Sequence, residues 1–150
     1  MYSELEFSER SGSLLESCES ELERVVARKF LGAGIHLERG PRTLVGRPDF
    51  RISATNILIF AHGCYWHRHR CSAGSRTPKS DVLYWTGRFA RQVERDSFVL
   101  AQLRCGGWEV CVVWECEVDA LDPKLVMDSR SASVSVALAN TGNRHAYANQ

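Results

Sequence analysis

Residues 56–71 read NILIFAHGCYWHRHRC, and this stretch decides how the chain is expected to fold. It opens with a continuous apolar run from Asn56 to Ala61, which is typical of a strand buried on both faces. The run stops at His62-Gly63, and the segment that follows, 63–80, is loop-like and dense in His, Cys, Arg and aromatic side chains. Chemistry is therefore expected to begin where a buried strand ends.

Further elements are expected before and after this strand. Apolar residues at helical spacing predict a helix from Leu14 to Leu31, which the following glycines would stop. Short strands are predicted over 35–38, 49–52 and 108–114, and after Asp122 one loose helix or strand and then a flexible tail are expected. A long helix is predicted over 81–104, and the residues expected to pack inward include Tyr84, Phe89, Val93 and Leu100.

The length and composition indicate a single domain. The 150-residue chain, with 44% hydrophobic residues, is long enough to bury one core. No stretch approaches the roughly 18 uninterrupted apolar residues of a membrane-spanning helix, and the chain opens with glutamates rather than a basic and then apolar signal. A cytoplasmic protein without membrane contact is therefore predicted. In such a protein, metal ligation or simple burial explains the six cysteines better than disulfides do.

The charges are segregated, although the formal net charge is only +1. Glutamates dominate residues 1–23, where Arg10 is the one basic residue. The middle of the chain is basic. There Asp81 and Glu94 are outnumbered by Arg68, Arg70, Arg76, Lys79, Arg88, Arg91 and Arg95. This central segment could meet nucleic-acid phosphates. A mixed solvated surface is an equally good interpretation, so the charge pattern alone does not identify a partner.

Thiols and imidazoles are concentrated in residues 62–71. Zinc takes four nitrogen or sulfur ligands in a tetrahedron, and Cys64, His69 and Cys71 are close enough in sequence for one loop to wrap a single ion. Cys116, just past the end of a predicted strand, is the best candidate for the fourth ligand. Such a closed site would hold the loop in shape without catalysing; the alternative is a surface loop with incidental histidines. The remaining thiols are expected to be small buried side chains: Cys18, Cys105 and Cys111.

His62 and His67 would then remain free beside the strand end. Two spare imidazoles suit phosphodiester hydrolysis, in which one contacts phosphate oxygens and the other takes a proton from attacking water. Such reactions are usually assisted by Mg²⁺, which prefers oxygen ligands. Asp49, set by the rigid Pro48 at the start of a predicted strand, is the nearest suitable carboxylate, although a lone Pro-Asp pair is more often a turn than a site.

Five segments resemble the very short patch repair (Vsr) endonucleases, in the same order and at matching intervals across residues 21–117. They are GRPDF at 46–50, FAHGCYWH at 60–67, HRC at 69–71, VERD at 93–96, and GW at 107–108 with VWEC at 113–116. The resemblance implies an α/β, restriction-endonuclease-like fold, in which helices flank a central mixed β-sheet, with a structural zinc site. It also implies a Mg²⁺-dependent nick in duplex DNA, 5′ to the thymine of a T:G mismatch.

The resemblance also implies roles for individual residues. Asp49 and the main-chain carbonyl of Ala61 would bind Mg²⁺. His67 resembles the general base, and His62 resembles the histidine that contacts phosphate. Glu23 matches a helix glutamate that helps orient the catalytic histidine, although spacing alone favours a solvated residue. The zinc ligands would be Cys64, His69, Cys71 and Cys116.

Several further residues are expected to bind DNA. Tyr65, Trp66 and Trp85 match positions where the family inserts aromatic rings into the duplex beside the mismatch. Without the resemblance, Trp85 would be assigned to the core. Gln92 stands where the family has asparagine, and Arg68 belongs to the basic segment. Asp96 would either support the active site or form an ordinary salt bridge with a neighbouring arginine on its helix.

Residues 1–20 are expected to form an acidic N-terminal segment, 21–120 the endonuclease domain, and 121–150 a C-terminal extension that is flexible in part. A monomer in the bacterial cytoplasm is predicted, associated with the nucleoid and with mismatch-repair proteins as candidate partners. The chain departs from the family at Ala61, in its acidic start and in a longer loop after Cys71. Two alternatives therefore stay open: a related nuclease with another DNA substrate in a restriction or mobile-element system, and an inactive, zinc-stabilised DNA-binding module.

Overall fold

A computed structural model describes residues 4–128, in which four strands form one mixed sheet flanked by helices. The strands are β1 (Leu37–Arg39), β2 (Phe50–Ile52), β3 (Ile57–His62) and β4 (Glu109–Trp114). The helices are α1 (Glu4–Glu16), α2 (Glu21–Gly32), α3 (Cys64–His67), α4 (Val82–Cys105) and α5 (Pro123–Asp128), with a 3-10 helix at Glu115–Ala120. The α/β class and the four predicted strands are confirmed.

The order of the strands places the start of β2 and the ends of the other three strands at one edge of the sheet. The sheet runs β1-β2-β3-β4, with antiparallel pairing except between β3 and β4, which are parallel and in register from Ile57↔Glu109 to His62↔Trp114. Parallel strands end at the same edge. Because β2 runs the opposite way, it begins at that edge. The residues before β2 and those after β3 and β4 therefore meet there.

The sheet is buried between two helical layers. Side chains of β3 alternate, so that Ile59 packs toward α2, on the side of Phe30, whereas Leu58 packs on the opposite face toward Val99 and Leu103 of α4. Burial of each such side chain stabilises the fold by about 1.5–3 kcal/mol. Covered faces on both sides explain why β3 and β4 are continuous apolar runs rather than alternating ones.

The helix predicted over 14–31 is two helices, because a capping arrangement interrupts it. The Ser20 side chain accepts a hydrogen bond from the Glu23 N–H at 3.1 Å, and the Glu23 carboxylate accepts one from the Glu19 N–H at 3.0 Å. These reciprocal bonds satisfy backbone donors at the start of α2. The apolar spacing used for the prediction is insensitive to such a break.

Other expectations need correction. Residues 63–80 are not loop throughout, since the single turn of α3 opens them. On α4, Tyr84 and Val93 are 56% and 42% exposed rather than packed inward. Cys105 is exposed, whereas the burial expected for the other two non-ligand thiols is confirmed. A helix, α5, follows Asp122 as one of the two expected forms, and the predicted flexible tail lies largely outside the described residues. Among residues 4–128, no helix has the length and apolar content needed to cross a bilayer.

Candidate active site and metal centre

A cavity of about 280 Å³ opens at the sheet edge where β2 begins and β3 ends. Asp49 precedes β2, Ala61 and His62 end β3, and His67 closes α3, so each comes from a different point of that edge. Helix α4 forms the opposite wall with Gln92 and Asp96, among other residues. The structure thus gathers most of the predicted catalytic residues around one pocket.

Asp49 is fixed against β3 by main-chain bonds. Its N–H donates to the Ile59 carbonyl at 3.0 Å, and its Oδ2 accepts the Ala61 N–H at 2.7 Å. The N–H and carbonyl of one strand residue point to the same side, so the Ala61 carbonyl also faces Asp49. Burial raises the pKa of Asp49 to about 6, although the hydrogen bond from the Ala61 N–H acts to lower it. A carboxylate and a carbonyl in a desolvated position fit a hard divalent cation, which would stabilise the anionic form.

His62 and His67 lie face to face, with ring centroids 3.7 Å apart and planes 7° from parallel. Each imidazole lone pair lies in the plane of its own ring, so two stacked rings are badly aimed for joint coordination of one ion. They suit two separate contacts with one substrate instead. His62 is buried, and this burial, with the neighbouring His67, lowers its pKa to about 4. His62 is therefore a neutral imidazole near neutral pH.

Asp96 orients His67. Its Oδ2 lies 2.6 Å from His67 Nδ1, and its Oδ1 accepts a hydrogen bond of 2.8 Å from the Gln92 side-chain amide. Burial opposes the charge of Asp96, but the hydrogen bond and charge of His67 outweigh it and lower the pKa of Asp96. An ionised carboxylate only accepts, so His67 Nδ1 carries a proton and Nε2 is the atom left to face a substrate. Of the two roles expected for Asp96, the contact with the active site is the one found.

Glu23 is placed differently from expectation. Its carboxylate bonds with Ser20 and Glu19 at the start of α2 and with Arg39 Nη1 at 2.8 Å, and its hydrogen bonds within residues 4–128 include neither histidine. In the described part of the chain, Glu23 therefore does not orient His67 through a direct hydrogen bond. Glu23 does act on the site electrostatically, since its charge contributes to the raised pKa of Asp49. It is also buried rather than solvated, because capping and the ion pair with Arg39 use both oxygens.

The four predicted zinc ligands converge. Ligand atoms of Cys64, His69, Cys71 and Cys116 all lie within 4.8 Å of one another. The register explains this, because His62 pairs with Trp114 in parallel strands, and Cys64 and Cys116 each follow that pair by two residues. His69 Nδ1 lies 3.2 Å from Cys116 Sγ and 3.7 Å from Cys64 Sγ. One imidazole and three thiols at this separation suit a tetrahedral zinc ion.

Surrounding residues hold this cluster in shape. The His69 ring stacks on Trp114 with centroids 4.4 Å apart, and its Nε2 lies 3.6 Å from a Glu117 carboxylate oxygen. A carboxylate on the far nitrogen of a ligating histidine fixes the ring and its tautomer. The Gly74 N–H donates to Cys71 Sγ at 3.3 Å and lowers the pKa of that thiol, which favours the thiolate that a metal requires. Glu117 and Gly74 were not identified from the sequence, because the contact of Glu117 with His69 and that of Gly74 with Cys71 depend on the folded loop.

The predicted DNA-binding aromatic residues form one group beside the pocket. Tyr65 and Trp85 both pack on the buried Phe89, at centroid distances of 5.3 and 5.8 Å, while Trp66 is 50% exposed. The Arg88 guanidinium lies over both indole rings, 5.8 Å from Trp66 and 5.6 Å from Trp85. Trp85 is thus not a core residue but part of this aromatic group. Arg88 also belongs to the group through its contacts with the two indole rings, and the sequence did not predict this.

Two other predicted DNA-binding residues are engaged within the protein. The Arg68 guanidinium donates to the Arg76 carbonyl and the Thr77 hydroxyl, and it lies 4.1 Å from the Phe89 ring centroid. These contacts stabilise the loop after Cys71. Gln92 lines the pocket, but its amide holds Asp96.

Comparisons with known proteins show which family this chain is similar to. The family model described as DNA mismatch endonuclease Vsr matches residues 8–73. DNA mismatch endonuclease Vsr of Escherichia coli (strain K12) is 34% identical over 98 residues, which cover 65% of this chain and 62% of that protein. The chain therefore spans less than two thirds of this relative.

Two relatives are covered more fully. The type II nicking enzyme V.NmeAIP of Neisseria meningitidis is 35% identical over 113 residues, 74% of this chain and 80% of that enzyme. The type II nicking enzyme V.XorIIP of Xanthomonas oryzae pv. oryzae is 34% identical over 99 residues, 66% of this chain and 72% of that enzyme.

Proposed function

Because this chain belongs to the Vsr family of DNA endonucleases, we propose that it hydrolyses one phosphodiester bond in one strand of duplex DNA. Membership implies a restriction-endonuclease-like fold, with which the mixed sheet between helices agrees. The observation that supports the activity most is the gathering of Asp49, His62 and His67 around one pocket at the sheet edge. A carboxylate and two imidazoles at one point are the groups that phosphodiester hydrolysis needs.

We assign Mg²⁺ to the Asp49 carboxylate and the Ala61 carbonyl, since both are oxygen donors and both face the pocket. Bound there, the cation would neutralise charge on the phosphate and lower the pKa of water. The aspartate supplies the anionic ligand, and its hydrogen bond from the Ala61 N–H keeps Oδ2 in place.

His67 is assigned as the general base. Asp96 keeps the proton on Nδ1, so Nε2 would take the proton from an attacking water molecule. The resulting positive charge on His67 would be stabilised by the Asp96 carboxylate at 2.6 Å. His62, stacked on His67, would donate a hydrogen bond to a phosphate oxygen and so orient the scissile group.

Cys64, His69, Cys71 and Cys116 are assigned to a structural zinc ion. A site with four protein ligands has no open position, so its role would be to fix α3 and thereby His67. His67 lies two residues before a proposed ligand and three after another, which ties the catalytic ring to the zinc loop on both sides.

A T:G mismatch is the proposed substrate, cleaved 5′ to the thymine. The exposed Trp66 and the half-buried Trp85 and Tyr65 form one aromatic group, which suits insertion beside a weakened base pair. A mismatch stacks and pairs less well than a matched pair, so opening the duplex there costs less. The monomeric state, the nucleoid location and the mismatch-repair partners remain predictions.

The test of the nuclease is a nicking assay on an end-labelled duplex with Mg²⁺, comparing the wild type with Asp49→Asn. The isosteric amide keeps the fold but removes the anionic ligand, so cleavage should fall by at least about a thousandfold. DNA binding should persist, and melting temperatures should match. An Asp49→Asn protein that cleaves as fast as the wild type removes this assignment.

A second substrate remains a candidate, because two relatives that the chain covers well are described as type II nicking enzymes. A panel of T:G duplexes in several sequence contexts, with matched, branched and single-stranded DNA, separates the two proposals. Preference for T:G supports the first, and equal cutting of matched duplex supports the second. Zinc-loaded protein that binds DNA without cutting any of them indicates an inactive binding module.

A further inference from the structure

Two arginines line the same pocket without a role in the assignments above. Arg47 lies in the turn that precedes Asp49, and Arg95 lies on α4 one residue before Asp96. Both side chains are exposed, and within residues 4–128 neither forms an ion pair with a carboxylate. Two free guanidinium groups at an active-site rim are therefore available for an external anion.

The position of Arg47 is set by an unusual turn. Gly46 has φ +75° and Arg47 has φ +50°, and a non-glycine residue in the left-handed region is uncommon. A Cβ on Gly46 would lie 2.2 Å from Val99 Cγ1, so the turn presses directly on α4. Strain of this kind persists where surrounding packing fixes it, and it is frequent at functional sites. The turn is thus docked on the helix that carries Arg95.

The charge of the pocket explains why cations are needed there. Asp49 and Asp96 bring two carboxylates to the place where a DNA phosphate would bind. A single divalent cation at Asp49 would leave the phosphates on either side of the scissile one facing acidic groups. Guanidinium groups bind phosphate with two parallel hydrogen bonds, which gives geometry as well as charge.

We propose that Arg47 and Arg95 form a phosphate clamp that grips the backbone phosphates flanking the scissile phosphate, one from each side of the pocket. This inference rests on the proposed nuclease function and adds the residues that hold the strand in register. The docked turn fixes one half of the clamp, and α4 fixes the other. The clamp binds backbone rather than bases, so it carries no sequence preference.

The clamp is tested first by binding, in an Asp49→Asn background that does not cut. Arg47→Ala and Arg95→Ala should each weaken duplex binding roughly tenfold and reduce the slope of log K against log salt by about one. Arg104→Ala, which removes the same charge from the exposed last turn of α4, is the matched control and should leave the slope unchanged. Lysine at either position should restore the slope but only part of the affinity.

The contacted phosphates are identified by a scan in which one backbone phosphate at a time is a neutral methylphosphonate. The loss of affinity caused by Arg47→Ala should disappear when the phosphate that Arg47 grips is neutral. The loss caused by Arg95→Ala should disappear when the phosphate on the other side of the scissile bond is neutral. Penalties that persist at every position, or variants that bind with an unchanged salt slope, overturn the clamp. These readouts need no cleavage, so failure of the clamp is distinguishable from failure of the nuclease proposal.

Discussion

His67 and Asp96 share a hydrogen bond of 2.6 Å, and Gln92 holds the other oxygen of that carboxylate at 2.8 Å. These contacts join residues that the sequence places 29 and four positions apart. The shorter interval, Gln92 to Asp96, is a helical i,i+4 pair and could be recognised from the sequence. The longer one depends on α4 crossing the end of α3, which no local pattern reports.

Asp96→Asn tests this orienting contact. Asparagine keeps the size but can offer its NH₂ group to His67 Nδ1. The ring proton then lies on Nε2, and that atom has no lone pair left to take a proton from water. The single-turnover nicking rate at saturating DNA should fall by about 10²- to 10⁴-fold with little change in the dissociation constant for DNA. Glu94→Gln, an exposed charge loss on the same helix, is the control. A loss seen in binding rather than in rate contradicts the role.

Gly74→Ala tests the packing of the zinc loop at a single position. An added Cβ would lie 1.9 Å from the His69 carbonyl oxygen, a backbone atom that cannot move without shifting a proposed zinc ligand. Zinc content and melting temperature should both fall. At Gly63, by contrast, a Cβ would meet its nearest neighbour at an ordinary 3.8 Å, so Gly63→Ala should retain zinc. Equal zinc content in the two variants rules out the proposed constraint.

At the scale of elements, the two neighbours of β3 create the two sites. The parallel pairing of β3 with β4 sets Cys64 beside Cys116, and the antiparallel pairing of β3 with β2 places Asp49 beside the end of β3. The sequence allowed the first of these to be predicted, because a thiol past one buried strand was matched with a loop past another. The strand order itself was not determined by the residues alone.

Cys116→Ser tests whether this pairing closes the metal site. Serine removes a thiolate ligand, so zinc content should drop well below one ion per chain and the melting temperature should fall, since metal binding energy is folding energy in such sites. Cys105→Ser, which alters an exposed thiol at the end of α4, should keep full zinc. Full zinc stoichiometry in Cys116→Ser shows that the fourth ligand is another group.

The sequence predicted β3 and β4 well because both faces of these strands are covered, which leaves a continuous apolar run. The sequence-based prediction failed where contacts of a single side chain set the boundary of a helix. The bonds between Ser20, Glu19 and Glu23 end one helix and start another within an uninterrupted periodic pattern. The inward face of α4 was assigned partly to Tyr84 and Val93, because apolar type alone cannot separate a core residue from one exposed at the surface.

At the scale of the molecule, two metals would have separate tasks, zinc for shape and magnesium for chemistry. Protein stripped by a strong chelator should lose thermal stability and nicking together. Mg²⁺ alone should restore neither, Zn²⁺ alone should restore the melting temperature, and both ions together should restore cleavage. Melting curves and nicking rates on the same samples provide the check. Recovery of both properties with Mg²⁺ alone contradicts the division of roles.

The most direct measurement is single-turnover cleavage of a duplex that contains one T:G mismatch, with each strand labelled separately and with His67→Ala as the comparison. The wild type with Mg²⁺ should cut only the thymine strand, at the bond 5′ to that base, and His67→Ala should be slower by about 10²-fold or more. No cut in either strand by folded, zinc-loaded wild type, or a cut that His67→Ala makes equally fast, contradicts the account of one pocket in which a carboxylate and two imidazoles act on one phosphate.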